Sequence, residues 1–210
     1  MLTSILPPVV HGGPRRSARL LWLRLAALHS LATALSAAAA GALVGAAAWG
    51  AGRLGWPLAP WVRWLTVAVA VIYLPRALGW TTWPPLLQST RQVPRDWAYD
   101  YPRWATALLF GLGLGSGVFT RVIVPTFYLL FAWPFLGGDF FWPVVLWAAY
   151  GLARSGHVWW LAWTAPTGDP FPAASQLTSA LMGRSRWMYR ANAVLLLATA
   201  AWLTLGGIFP

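Results

Sequence analysis

Arg121 stands between two apolar runs, FGLGLGSGVFT and VIVPTFYLLF. A guanidinium in that setting needs either the membrane interface or an internal partner. Thr120 and Thr126, with backbone carbonyls freed by a broken helix, could supply the partner, so Arg121, Thr120 and Thr126 form a candidate substrate- or partner-binding group. The competing role is that Arg121 marks the outer end of a span and snorkels into headgroups. Arg154 and His157 lie inside another apolar run, 140–163, three residues apart and therefore on one face of a helix; Arg154 joins the binding candidates. His29, near the start of the first apolar block, would sit at a similar depth to His157 on a different helix, and such a pair could ligate a haem or a chlorin. Packing histidines held by hydrogen bonds are the preferred alternative, and the cofactor, if any, stays unknown.

Missing residue types narrow the chemistry further. The chain has no Cys, no Lys and no Glu, and its four acids are Asp96, Asp100, Asp139 and Asp169. Without Cys there is no disulfide, thiolate nucleophile or Cys-type zinc site. Without Lys there is no Schiff-base enzyme and no phosphate-binding P-loop lysine. Four scattered aspartates leave little for paired-carboxylate catalysis or a metal, so no catalytic residue and no metal site is assigned.

The elements that must position these residues are membrane helices. Charged residues make up 9% of the 210 and hydrophobic ones 59%, far from the balance of a soluble domain. Several stretches reach about 18 residues with few charges, enough to cross the hydrocarbon as a helix. The short alternating segments of a β-barrel are absent. All fifteen basic residues are arginines, most of them at the ends of apolar blocks, and the net charge is +11. That placement suits anionic lipid headgroups and excludes nucleic acid as the preferred partner.

The expected architecture is all-α: a single polytopic membrane domain over 1–210, with an irregular Pro/Gly-rich arm at 1–19. Spans are expected at about 25–50 and 60–79, then across an apolar region from 104 to 136, then at 140–163 and 191–209. The region 104–136 is too long for one straight crossing and must tilt, break or turn back near Arg121 and Pro125. Polar loops fall at 80–103 and 165–190. Arg15, Arg16, Arg19 and Arg24 set the N-terminus in the cytoplasm; the loop with Arg76, Arg91, Arg95 and Arg103 falls on the same side, as does that with Arg184, Arg186 and Arg190. Five spans with one broken satisfy all three groups and leave the C-terminus outside; six is the alternative. The segment from Arg15 also resembles a twin-arginine signal, although a membrane anchor is preferred. A bacterial-type plasma (inner) membrane is the expected location.

Seventeen tryptophans crowd the block ends, as amphipathic indoles do at the headgroup level. Glycine pairs four apart, Gly41 with Gly45 and Gly111 with Gly115, place small residues on one helix face and allow close packing.

The run RQVPRDWAYDYPRWATALLFGLGLGSGVFTRVIVPTFY, residues 91–128, resembles the glycine-rich, proline-broken helix of the DsbD/CcdA-type membrane electron-transfer proteins. That family's reactive cysteines have no counterpart here, so the resemblance implies a related helical scaffold without a thiol relay. Three functions follow from the whole pattern. The preferred one is a non-catalytic integral subunit packing within a larger membrane complex. The others are a small permease or exporter with its site at the broken helix, and an enzyme acting on an anionic lipid, for which Asp96 or Asp100 should converge with the loop arginines.

Overall fold

The computed structural model describes residues 15–55, 58–85, 97–116, 125–137, 139–164, 179 and 185–205. Every element among them is helical: α1 (Arg15–Arg53), α2 (Leu58–Ala77), a short α3 (Trp97–Asp100), α4 (Arg103–Gly115), a 3-10 turn (Pro125–Tyr128) leading into α5 (Leu129–Gly137), α6 (Phe141–Thr164) and α7 (Ser185–Leu205). Within α1, Arg19–Arg53 is long and apolar enough to cross a membrane; Pro125–Leu136 and Tyr189–Leu205 are shorter apolar helices. The α1 helix begins at Arg15, inside the arm expected to be irregular through residue 19, because the last prolines and glycines of that arm precede it. Likewise α7 starts at Ser185, so Arg186 and Arg190 belong to a helix and not to the expected loop. The α4 helix ends at Gly115 and the 3-10 turn begins at Pro125; Arg121, where a break is expected, lies outside the described residues.

Helix ends follow local chemistry. Gly55, at φ +71°, adopts the left-handed conformation just beyond α1. Gly79, at φ +77°, does the same for α2: the Trp80 N–H reaches back to the Pro75 carbonyl (2.9 Å) and the Gly79 N–H to Arg76 (3.0 Å), a Schellman closure. The Arg76 guanidinium then braces the following segment by donating to the carbonyls of Thr82 and Pro84, and the Tyr73 hydroxyl donates to Pro85 O at 3.0 Å. Arg76 therefore holds a turn together as well as carrying charge. The α3 turn is tied to α4 by Thr106 Oγ1, which donates to Trp97 O at 3.1 Å, and by the edge-on contact of Trp97 with Phe110 at 6.2 Å.

The chain divides into two compact units. The first contains α1 through Ala40, α3, α4 and α6 from Trp147 onward. Here α4 runs parallel to α1: His29 meets Ala107, and seven residues on, Ser36 meets Leu112. The α6 helix runs antiparallel to α1, since Arg19 lies over the Trp163 ring at 4.8 Å, Ala26 clusters with Val158, and Gly151 faces Thr33 and Ala37.

The second unit contains α1 from Gly41, α2, the 3-10 turn with α5, the start of α6 and α7. Its core is Ala70, Tyr73, Ala77, Ala193 and Leu196. Thr126 meets Asn192, and seven residues further on, the Trp133 ring stacks on Trp202, so α5 and α7 are parallel. Tyr73 packs on Tyr128 at 5.5 Å, while the preceding turns of α2, Val62 to Val69, face α5 as far as Phe135. The α2 helix is therefore antiparallel to both.

Candidate functional site

The densest arrangement of polar and small residues is the seam where α4 and α6 close on α1 in the first unit. Its centre is the turn from His29 to Ala37, with His29, Ser30 and Thr33 all buried. Glycine sets the approach. A Cβ on Gly111 would come within 2.5 Å of His29 O, one on Gly115 would run into the Thr33 carbonyl, and one on Gly151 would lie 2.8 Å from that same carbonyl. Backbones touch here with no side chain between them, as small-residue packing allows. The Thr33 hydroxyl turns inward to His29 O (2.7 Å) and Ser36 Oγ donates to Leu112 O (2.6 Å). Trp159 Nε1 donates to Ser30 Oγ at 2.7 Å, linking α6 to α1.

His29 faces the Ala107 carbonyl through Nδ1 at 3.1 Å, which requires the proton on Nδ1. Its Nε2 is buried without a partner among the described residues. His157 uses its own Nδ1 on Arg154 O at 2.8 Å. A backbone carbonyl on Nδ1 is how a ligating imidazole is oriented, so the electronic half of the haem or chlorin expectation is present. The space is not: His29 is 1% exposed and walled by a seam that could not take even a methyl group at Gly111. Packing histidine is the role this geometry fits. No group of three potential metal ligands occurs among the described residues.

The remaining candidates fall elsewhere. Arg154 Nη1 donates to the Tyr150 hydroxyl one turn earlier, at 2.8 Å, so its charge is engaged within α6. Thr126 is half-buried at the start of the 3-10 turn, and its backbone N–H, not its hydroxyl, makes the informative contact: it donates to Asn192 Oδ1 at 3.1 Å. Arg121 and Thr120 lie outside the described residues, as does Asp96. Asp100 is exposed at the end of α3. A groove of about 290 Å³ between α2 and α5 is lined by Val62, Leu65, Val69 and Phe131 among others and not by Thr126. The polar cavity that a permease site at Thr126 requires is not this one. In the second unit Gly45 approaches Phe140 O at 3.0 Å and Gly41 is buried.

Sequence reasoning missed Asn192, Gly151 and Ser30. Asn192 had a signal: it is the chain's one asparagine, set at the start of the apolar run that follows Arg190. Gly151 and Ser30 had none, because each acquires meaning only from the helix opposite.

No protein-family model matches the chain, and no solved structure matches it. It is similar to a methylamine utilization protein, MauF, of Paracoccus versutus, with 34% identity over 133 residues, 63% of this chain and 48% of that protein. The matched stretch is thus about half the length of that curated relative.

Proposed function

We propose that this chain is a non-catalytic integral membrane protein of five spans, the third broken, that serves methylamine utilization as an accessory subunit packed against other membrane proteins. The helix directions support the span count. A chain that crosses up, down, up, down and up needs α4 parallel and α6 antiparallel to α1, and α5 and α7 parallel to each other and opposed to α2; each unit meets its share of those conditions. Exposed tryptophans at helix ends, Trp61, Trp80, Trp104, Trp142, Trp163 and Trp187, suit two interfacial belts of a plasma membrane. The N-terminus is then cytoplasmic and the C-terminus outside. The likeness of residues 91–128 to the DsbD/CcdA scaffold belongs with this proposal as a helical framework without its thiols.

The observation that carries the subunit role is the outer face of α6. Ala149, Ala153 and Gly156 are exposed along it, and among the described residues a Cβ on Gly156 would meet nothing within 4 Å. Leu152 and Trp160, exposed on the same face, leave a notch at Gly156. In-helix glycine costs about 1 kcal/mol relative to alanine, and the other glycine of α6, Gly151, is matched to a neighbour. The notch fits the small-residue face of an apolar helix from another protein.

The test is Gly156→Leu. Filling the notch should leave the thermal melting of the purified chain unchanged and remove the partner that copurifies with the unaltered protein. A partner retained by the G156L variant would reject this face as the contact.

A further inference from the structure

In the second unit, α5 ends and the chain turns at Asp139 into α6, while Trp202 of α7 comes alongside. These elements enclose a pocket of about 270 Å³ walled by Trp133, Trp142, Trp202, Pro134, Pro143 and Asp139. Trp133 and Trp202 stack with ring centroids 5.4 Å apart and planes at 20°, which fixes both rings. They remain 41% and 57% exposed, and Trp142 is 56% exposed, so aromatic surface is left for a ligand. Asp139 Oδ1 accepts the Phe141 N–H at 2.6 Å, which orients the carboxylate at the pocket wall. The lining holds no basic residue, and no ion pair to Asp139 occurs among the described residues.

We propose that this pocket binds a small alkylammonium cation, held between indole surface and the Asp139 carboxylate. Indole presents the most negative face of the aromatic side chains, and cages of such rings are how proteins bind methylated ammonium groups. The carboxylate adds a full opposite charge beside them. An anion would be repelled by Asp139, and a neutral apolar ligand would strip water from that carboxylate without replacing it. The stacked pair is already ordered before binding, so little freedom is lost when a ligand arrives. A free amine and the choline or ethanolamine headgroup of a lipid share this chemistry. The inference rests on the geometry of one unit and is independent of the subunit proposal.

The experiment uses the purified chain in maltoside detergent, which carries no ammonium group. Tetramethylammonium chloride and methylammonium chloride are titrated against sodium chloride at matched ionic strength, and binding is read by calorimetry and by saturation transfer to the methyl protons. Saturable binding is expected. Asp139→Asn, which keeps an acceptor for Phe141, should weaken it about tenfold; Trp142→Leu, outside the stacked pair, should weaken it roughly threefold. Trp61→Leu, an exposed indole away from the pocket, should leave it unchanged. Nanodiscs separate the two sources. A free-cation site binds tetramethylammonium equally in phosphatidylglycerol and phosphatidylcholine discs, whereas a headgroup site binds it in the first and loses it in the second; both support the pocket. Absence of saturable binding in detergent and in phosphatidylglycerol discs, or binding weakened by neither D139N nor W142L, overturns the proposal.

Discussion

Gly111 and Gly115 are where a single atom decides the packing of the first unit. Alanine at either position drives a methyl group into an α1 carbonyl, and since backbone cannot swing aside as a side chain can, each substitution should destabilise by about 1–3 kcal/mol. Gly50→Ala, where the new methyl meets nothing within 4 Å, should be neutral or gain up to about 1 kcal/mol from helix propensity. Unfolding in mixed detergent micelles measures both, and an equal loss in G50A and G111A would show that the seam is not special. The same closeness bears on His29. The purified protein should show no Soret or chlorin absorption band; a band present in the unaltered protein and lost in His29→Ala would mean that the seam opens to a macrocycle. The pair Gly111 and Gly115 was legible in the sequence as a packing element because a spacing of four puts both on one helix face. Asn192, Gly151 and Ser30 were not, since the partner of each lies far along the chain and no local pattern encodes it.

In the second unit the 3-10 turn is the element on which most depends. It starts at Pro125, which has no N–H, and the next donor, Thr126 N–H, is satisfied from α7 by the amide oxygen of Asn192. Asn192→Leu removes that acceptor and strands a donor in a half-buried site, at a cost of about 1–3 kcal/mol, measurable in the same micelle assay; an unchanged stability would mean another group caps the half-helix. The direction of the crossings has its own test, made simple by the absence of native cysteine. In the five-span arrangement a cysteine at Leu54 or Phe140 is labelled by an impermeant maleimide on intact cells, and one at Thr81 only after permeabilisation. Labelling of Thr81→Cys on intact cells would reverse that arrangement. Helix existence could be read from apolar length, whereas helix ends could not, and the break expected at Arg121 lies outside the described residues. Arg15, Arg16, Arg186 and Arg190 lie within α1 and α7, because a charged side chain does not end a helix whose backbone bonds are satisfied within it.

At the scale of the whole molecule, the chain joins a tightly sealed internal seam to an outer face that still offers a glycine notch. The seam buries His29, Ser30 and Thr33 of α1, while α6 exposes Ala149, Leu152, Ala153 and Gly156 along one face. Neither property could be read from composition, because which apolar face stays exposed depends on what the fold has already covered. A subunit built this way should leave the membrane in company. Native mass spectrometry of the tagged chain, released from its own membrane in mild detergent or lipid nanodiscs, measures this directly. The expected result is a discrete assembly containing this chain and at least one other integral membrane protein in fixed stoichiometry. A single species at the mass of this chain with bound lipid alone would contradict the subunit role.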